Sequence, residues 1–259
     1  MLEFWFLLPT GFLVAVLATS SGIAGSNFWI PIHLLWLAFE PRVAFWISLL
    51  TMLFGSSSAM VRNVRAGTIA WPLVRKYLGV AGPAALLGAV LSTRIPVRLL
   101  LIGFAIFVTS YGLWLLTDGF RQAPSHSRHS KIRWPSGILA GGLHGTIATG
   151  SGILLMPAMI DHEAVDRPAT AVGSTVVLVF SLTLVSVIFR IDGPLYQTLI
   201  DNLRTIASVM LFAAPGVVIG GQLGPRIAQR LSRRWLRLYV GVLLLAVGAL
   251  VGWRAFATP

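Results

Sequence analysis

The chain has 259 residues, 56% of them hydrophobic and 11% charged, with a mean hydropathy of +0.83, which excludes an ordinary soluble domain and identifies an integral membrane protein. Twenty basic against eight acidic residues give a net charge of +12, but the basic residues fall between apolar spans, so topogenic charge accounts for them and no nucleic-acid partner is expected. The absence of cysteine excludes disulfides, thiolate metal sites and thiol catalysis.

No Lys or Arg precedes the first apolar run, so that run lacks a signal peptide's basic region and is expected to be retained. It extends from Phe4 to Ile23, about twenty residues, enough for a bilayer core of about 30 Å. A break at Gly22 to Asn27 follows. The next run, Phe28 to Phe39, would cover only about 18 Å as a helix and cannot span squarely. Ala44 to Val61 is a span, Arg62 to Lys76 reads as a basic loop, and Leu78 to Leu91 and Val97 to Leu116 are two further spans. Glu40 and Arg42 are expected to pair at the interface. The polar stretch from Thr117 to Trp134 reads as a linker.

The second half repeats the first. The stretch Ala148-Thr149-Gly150-Ser151-Gly152-Ile153-Leu154-Leu155-Met156-Pro157 has a degraded twin in Gly22-Ile23-Ala24-Gly25-Ser26-Asn27-Phe28-Trp29-Ile30-Pro31. In each, tiny residues precede a short apolar run and a proline, which marks an apolar helix broken at corresponding positions. Pro31 and Pro157 match at a separation of 126 residues, and Gly103 and Gly241 at 138. Between them Pro41 with Ala44 matches Pro168 with Ala171, Gly67 matches Gly193, and Pro83 with Gly88 matches Pro215 with Gly220. Ordered recurrence of five landmarks is not expected from chance placement of Gly and Pro.

The expected fold is therefore an all-α polytopic membrane protein of two homologous halves, each with about four spans plus a short broken or re-entrant helix. The first repeat covers residues 1–117, a cytoplasmic linker 118–134, and the second repeat 135–259. Charge predicts how the halves are oriented. Parallel halves divide Lys and Arg eleven to nine between the two sides, whereas inverted halves divide them fourteen to six. Only the second is a topogenic bias, so inverted repeats are expected, with both termini outside.

Broken helices joined to inverted repeats suggest a substrate site near the midplane. A helix interrupted in the bilayer leaves backbone groups that must be buried in protein or line a watery cavity, and the resumed helix offers N–H groups and a positive dipole end to an anion. The candidate binding residues are Gly25, Ser26 and Asn27 in the first break and Thr149, Gly150, Ser151 and Gly152 in the second. Ser48, Ser174 and Thr175, near the starts of the third helices, either point into the same cavity or bond back to their own helices. His144 is a candidate for proton coupling, the alternative being an interhelical hydrogen bond. Gly137, Gly141 and Gly145 have packing spacing, within the chain or across a homodimer. The tryptophans, mostly near span ends, suggest interfacial belts.

The duplicated pattern of small triplet, four residues and proline, then Pro-x-x-Ala leading into Ser or Thr, then a loop glycine, resembles the TauE/SafE sulfite exporter family from about Leu8 to Leu250. The resemblance implies a secondary transporter, in the export direction, of sulfur-containing oxyanions such as sulfite or organosulfonates, multi-pass in the bacterial cytoplasmic membrane. The family's glycine-rich signature falls on Ala24, Gly25 and Ser26 and on Gly150, Ser151 and Gly152; neither is all-glycine, and Asn27 and His144 stand apart from the pattern. The expected partners are a small anion, the lipid bilayer and protons, with no cofactor and no metal. An uncoupled anion channel or facilitator is the rival reading, because all eight acidic residues lie in ends or loops. An enzyme is not expected, since the spans hold no nucleophile constellation, metal cluster or paired acids.

Overall fold

The computed structural model describes residues 2–21, 24–118, 132–160, 162–228 and 233–257, and among them the chain is helical with no β-sheet. After a 3-10 turn at Leu2–Phe4 come α1 (Leu7–Ser21), α2 (Ser26–Pro31), α3 (Pro41–Arg65), α4 (Trp71–Arg94) and α5 (Val97–Asp118). The second half supplies α6 (Trp134–Ile147), α7 (Ser151–Ile160), α8 (Pro168–Phe189), α9 (Gly193–Asp201), α10 (Leu203–Ala228) and α11 (Arg233–Ala257). Five of these helices, α3, α4, α5, α8 and α10, are long and apolar enough to cross a membrane. Most of the expected linker, and Gly22 and Ile23 of the first break, lie outside the described residues.

Proline marks many of the boundaries. It sits in the first turn of α3, α4, α6, α8 and α9, where a missing N–H costs nothing. Asp192 caps α9 by accepting from the Leu195 N–H at 2.9 Å. Inside α2, Pro31 removes a backbone donor, and the helix continues as a wider π-turn at Ile32–Trp36. The basic segment from Arg62 to Lys76 is not a long loop: α3 runs to Arg65 and α4 begins at Trp71, leaving a turn of five residues. Lys and Arg at an interface are compatible with helix, so a charge run does not mark a helix end.

The strongest helix contacts are α1 on α10, α4 on α6 and α5 on α11. Gly141 lies against Ala81, and Gly145 against Ala85 and Ala89, so α6 runs parallel to α4. A side chain at either glycine would meet α4 backbone, which is why these positions carry hydrogen. Gly216 lies against Leu8 and Phe12, and Gly220 against Phe12 and Ala15, so α1 runs parallel to α10. Each half thus lends its leading helix to the penultimate helix of the other. By contrast α5 and α11 are antiparallel, with Gly112 on Gly241 and Gly248 on Thr109.

Helix α3 meets α8 in antiparallel fashion: Trp46 donates from Nε1 to the Val187 carbonyl at 2.9 Å, and the Ala70 N–H, just past α3, donates to Ser174 Oγ at 2.9 Å. The pairs Thr51 with Met210, Ser58 with Val218 and Arg62 with Gln222 make α3 parallel to α10. Since α1 is also parallel to α10, the chain must turn back through α2 and its π-turn to start α3.

These directions sort the charges by end. One end gathers Arg62, Arg65, Arg75, Lys76, Arg133 and Arg167, where the Arg133 N–H donates to the Tyr77 hydroxyl at 3.3 Å. The other end carries Arg42, Arg94, Arg98, Arg190, Arg204 and Arg254, with the Arg98 guanidinium 5.8 Å from the centre of the Phe256 ring. Arg42 does not pair with Glu40 as expected; its Nη1 reaches Asp192 Oδ2 at 3.3 Å, because the α3 start and the α8 end share this end of the bundle. Trp5, Trp36, Trp71, Trp114, Trp134 and Trp253 are exposed, as a belt requires, while Trp29 is buried in the core.

Candidate functional site

The two helix breaks meet. Ser26, at the start of α2, donates its hydroxyl to the carbonyl of Ala148, the residue that ends α6. The Thr149 hydroxyl donates to Oδ1 of Asn27. All four residues are fully buried. Residues some 120 positions apart are therefore joined, and the Ser26 hydroxyl satisfies a carbonyl left open by the second break, as a low-dielectric interior demands.

The second break is set by backbone geometry. Ala148 has φ of 58° and Gly150 has φ of 94°, so the chain twice enters conformations that L side chains avoid before α7 starts at Ser151. Glycine answers the second turn, where an added Cβ would also stand 3.2 Å from Leu143 Cβ and Phe107 Cζ. Alanine at the first costs about 1 kcal/mol of strain. A hydrogen-bond chain then holds α7. The Ser151 hydroxyl lies 2.8 Å from His144 Nδ1, and His144 Nε2 lies 3.1 Å from Thr183 Oγ1. Thr183 commits its one hydroxyl proton to the Val179 carbonyl at 2.6 Å, so it accepts from Nε2–H, and Nδ1 accepts from Ser151. One imidazole thereby ties α6, α7 and α8 together.

The first break is built differently. Gly25 has ordinary helical angles, φ −61° and ψ −24°, and with Ala24 it borders a cavity of about 90 Å³. The cavity lies between α1, α2, α3, α7, α8 and α10 and has room for several waters. Its wall is largely Val, Ala and Met, with hydroxyls from Thr19, Thr51, Ser56 and Thr175. The first three donate to carbonyls of their own helices, those of Ala15, Ile47 and Leu53. Thr175 Oγ1 is buried without a hydrogen-bond partner, which leaves its proton uncommitted.

Of the residues read from sequence, Gly25 and Thr175 face this cavity. Ser26, Asn27, Thr149, Ser151 and His144 form the buried polar seam beside it, and Gly150 and Gly152 are buried at the start of α7. Asn27 Nδ2 in that seam is a further buried donor with no partner. Ser48 is drawn elsewhere: it donates to the Ala44 carbonyl at 2.6 Å and accepts from His33 Nδ1 at 2.9 Å. Ser174 accepts from Ala70 at the turn between α3 and α4. Sequence reading missed Thr183 and Trp29, whose ring stacks on that of His33 with centres 5.1 Å apart. A hydroxyl 39 residues beyond His144 carries no local signal. Among the described residues no cluster of three or more His, Asp or Glu could hold a metal ion.

The chain is 27% identical to a probable membrane transporter protein of Xylella fastidiosa strain Temecula1, over 85% of this chain and 83% of that one. It is 25% identical to a probable membrane transporter protein of Methanocaldococcus jannaschii, over 95% of this chain and 96% of the relative. A further relative of the same description in Bacillus subtilis is 22% identical over 80% of both chains. No solved structure matches the chain. Residues 7–251 match the sulfite exporter TauE/SafE family, so the protein, with its apolar spans and broken helices, belongs to that family of membrane transporters.

Proposed function

We propose that the protein is a secondary transporter that exports small sulfur-containing oxyanions, such as sulfite or organosulfonates, across the bacterial cytoplasmic membrane. The anion is bound between the two breaks and released by alternating access. The observation that carries this reading is the contact of the breaks themselves. Two interrupted helices, one from each half, close on each other through Ser26, Asn27, Ala148 and Thr149 beside an internal cavity. Two neutral donors, the Asn27 amide and the Thr175 hydroxyl, are uncommitted there and suit an anion bound without a fixed countercharge. Parting the breaks frees the Ser26 and Thr149 hydroxyls as additional donors.

The reciprocal packing of α1 on α10 and α6 on α4 supports reading the halves as inverted repeats that rock against each other. The end bearing Arg62, Arg65, Arg75, Lys76, Arg133 and Arg167 then faces the cytoplasm. His144 couples the movement of α7 to α8, and proton coupling through it is the energised form of the mechanism. An uncoupled facilitator is favoured by one observation: among the described residues, every Asp and Glu lies in the opening 3-10 turn, at a helix end or in a loop.

Proteoliposomes loaded with sulfite, thiosulfate, sulfoacetate, taurine or chloride provide the test. Efflux of a sulfur oxyanion in preference to chloride, lost in Asn27→Leu and in Thr175→Val, is expected. Efflux accelerated by a pH gradient identifies the coupled transporter, and efflux indifferent to it identifies the facilitator. Absence of sulfur-oxyanion flux, or flux unchanged in both variants, overturns the site.

A further inference from the structure

Arg190 follows α8 directly and is 5% exposed. Its Nε donates to Ser92 Oγ at 2.9 Å and its Nη2 to the Thr146 carbonyl at 2.6 Å, whereas Nη1 has no hydrogen-bond partner. The guanidinium carbon lies 5.4 Å from the centre of the Phe45 ring. None of these neighbours is negative. The acid that lines the same cavity, Asp192, is committed elsewhere, Oδ1 to the Leu195 N–H and Oδ2 to Arg42. Burying a guanidinium among neutral partners is costly, so a charge kept this way calls for an anion.

A second cavity, of about 20 Å³, lies among Arg42, Phe45, Ser92, Arg190 and Asp192. It is far from the polar seam of the breaks in composition: two guanidinium groups and one carboxylate leave one net positive charge around it. We propose that this pocket is an anion site, taking a small monovalent oxyanion of the sulfonate or phosphate-diester type. One oxygen binds Nη1 of Arg190 and another binds Arg42. The cavity holds little more than one water-sized group, so the rest of the anion displaces the Arg42–Asp192 pair, whose side chains are 28% and 25% exposed. Through Thr146, two residues before Ala148, the occupied guanidinium is fastened to the end of α6 that leads into the second break. The site stands whether or not the breaks bind an anion.

The test is calorimetric titration of the full chain, in detergent free of phospholipid, with methanesulfonate and with dimethyl phosphate. A second arm adds phosphatidylglycerol to the micelles to ask whether a lipid headgroup is the occupant. Wild-type protein is expected to bind a monovalent oxyanion, Arg190→Gln to weaken it at least about tenfold, and Arg190→Lys to give an intermediate affinity, since ammonium keeps charge without the fork. Arg42→Glu turns the net charge of the pocket from positive to negative and is expected to abolish binding; this partly exposed position decides the matter if Arg190→Gln does not fold. Loss of methanesulfonate binding on adding phosphatidylglycerol, dependent on Arg190, assigns the same site to a lipid phosphate. Wild-type affinity in Arg190→Gln or Arg42→Glu overturns the site, as does absence of binding in both arms. Binding lost in Asn27→Leu but intact in Arg190→Gln overturns it too, and leaves the transport reading standing.

Discussion

The two breaks occupy corresponding places in the two halves but are made of different physics. The second is fixed by two left-handed residues, Ala148 and Gly150, and by the chain from Ser151 through His144 to Thr183. The first has ordinary angles at Gly25, borders the cavity, and passes through Pro31 into a π-turn. Its histidine, His33, bonds to one serine through Nδ1 and leaves Nε2 without a partner. One break is therefore over-determined, and the other is open to a neighbour or a ligand. The two breaks thus divide between holding the fold and bordering the cavity.

Glycine substitution breaks this comparison most sharply. Gly150→Ala is expected to destabilise the protein by about 2–3 kcal/mol, from positive φ and crowding by Leu143 and Phe107. Gly25→Ala, with its nearest neighbours at 3.7 and 3.9 Å, should stay within about 0.5 kcal/mol. Thermal unfolding of the purified variants measures both, and equal losses would mean that the breaks are equivalent. A smaller difference is expected at the histidines. His144→Phe strands the Ser151 hydroxyl in the interior, at about 1–2 kcal/mol, while Thr183 keeps its bond to Val179; His33→Phe costs less than about 1 kcal/mol because Ser48 keeps its bond to Ala44. A larger loss at His33 would reverse the assignment of the rigid break. The smallest effect concerns their junction: Asn27→Ala and Thr149→Val in a double-mutant cycle should show a coupling of about 1 kcal/mol, and additive losses would mean that the breaks do not cooperate.

Much of this architecture was legible in the sequence. Apolar length located the spans, and the small triplets with Pro31 and Pro157 located both interruptions. The candidate residues gathered there, although Ser48 and Ser174 turned to other partners. What stayed hidden depends on how each helix is rotated about its axis. In a membrane, lipid-facing and protein-facing surfaces are both apolar, so hydrophobic periodicity does not say that Gly141 meets Ala81 or that His144 meets Thr183. Ala148 was invisible for another reason: nothing in an alanine announces a left-handed backbone, which here is held by its surroundings. Arg190 looked like one more interfacial charge until its neighbours were known.

The exchange of leading helices also has a history in time. When α6 emerges from the ribosome, its partner α4 has already been made and can receive it at once. Helix α1 has no such host. Its partner α10 lies about two hundred residues downstream, which at roughly 5–20 residues per second is on the order of 10–40 s of synthesis. For that interval the grooves that will clasp Gly216 and Gly220 await their partner, and a helix made early is among the last to find its seat.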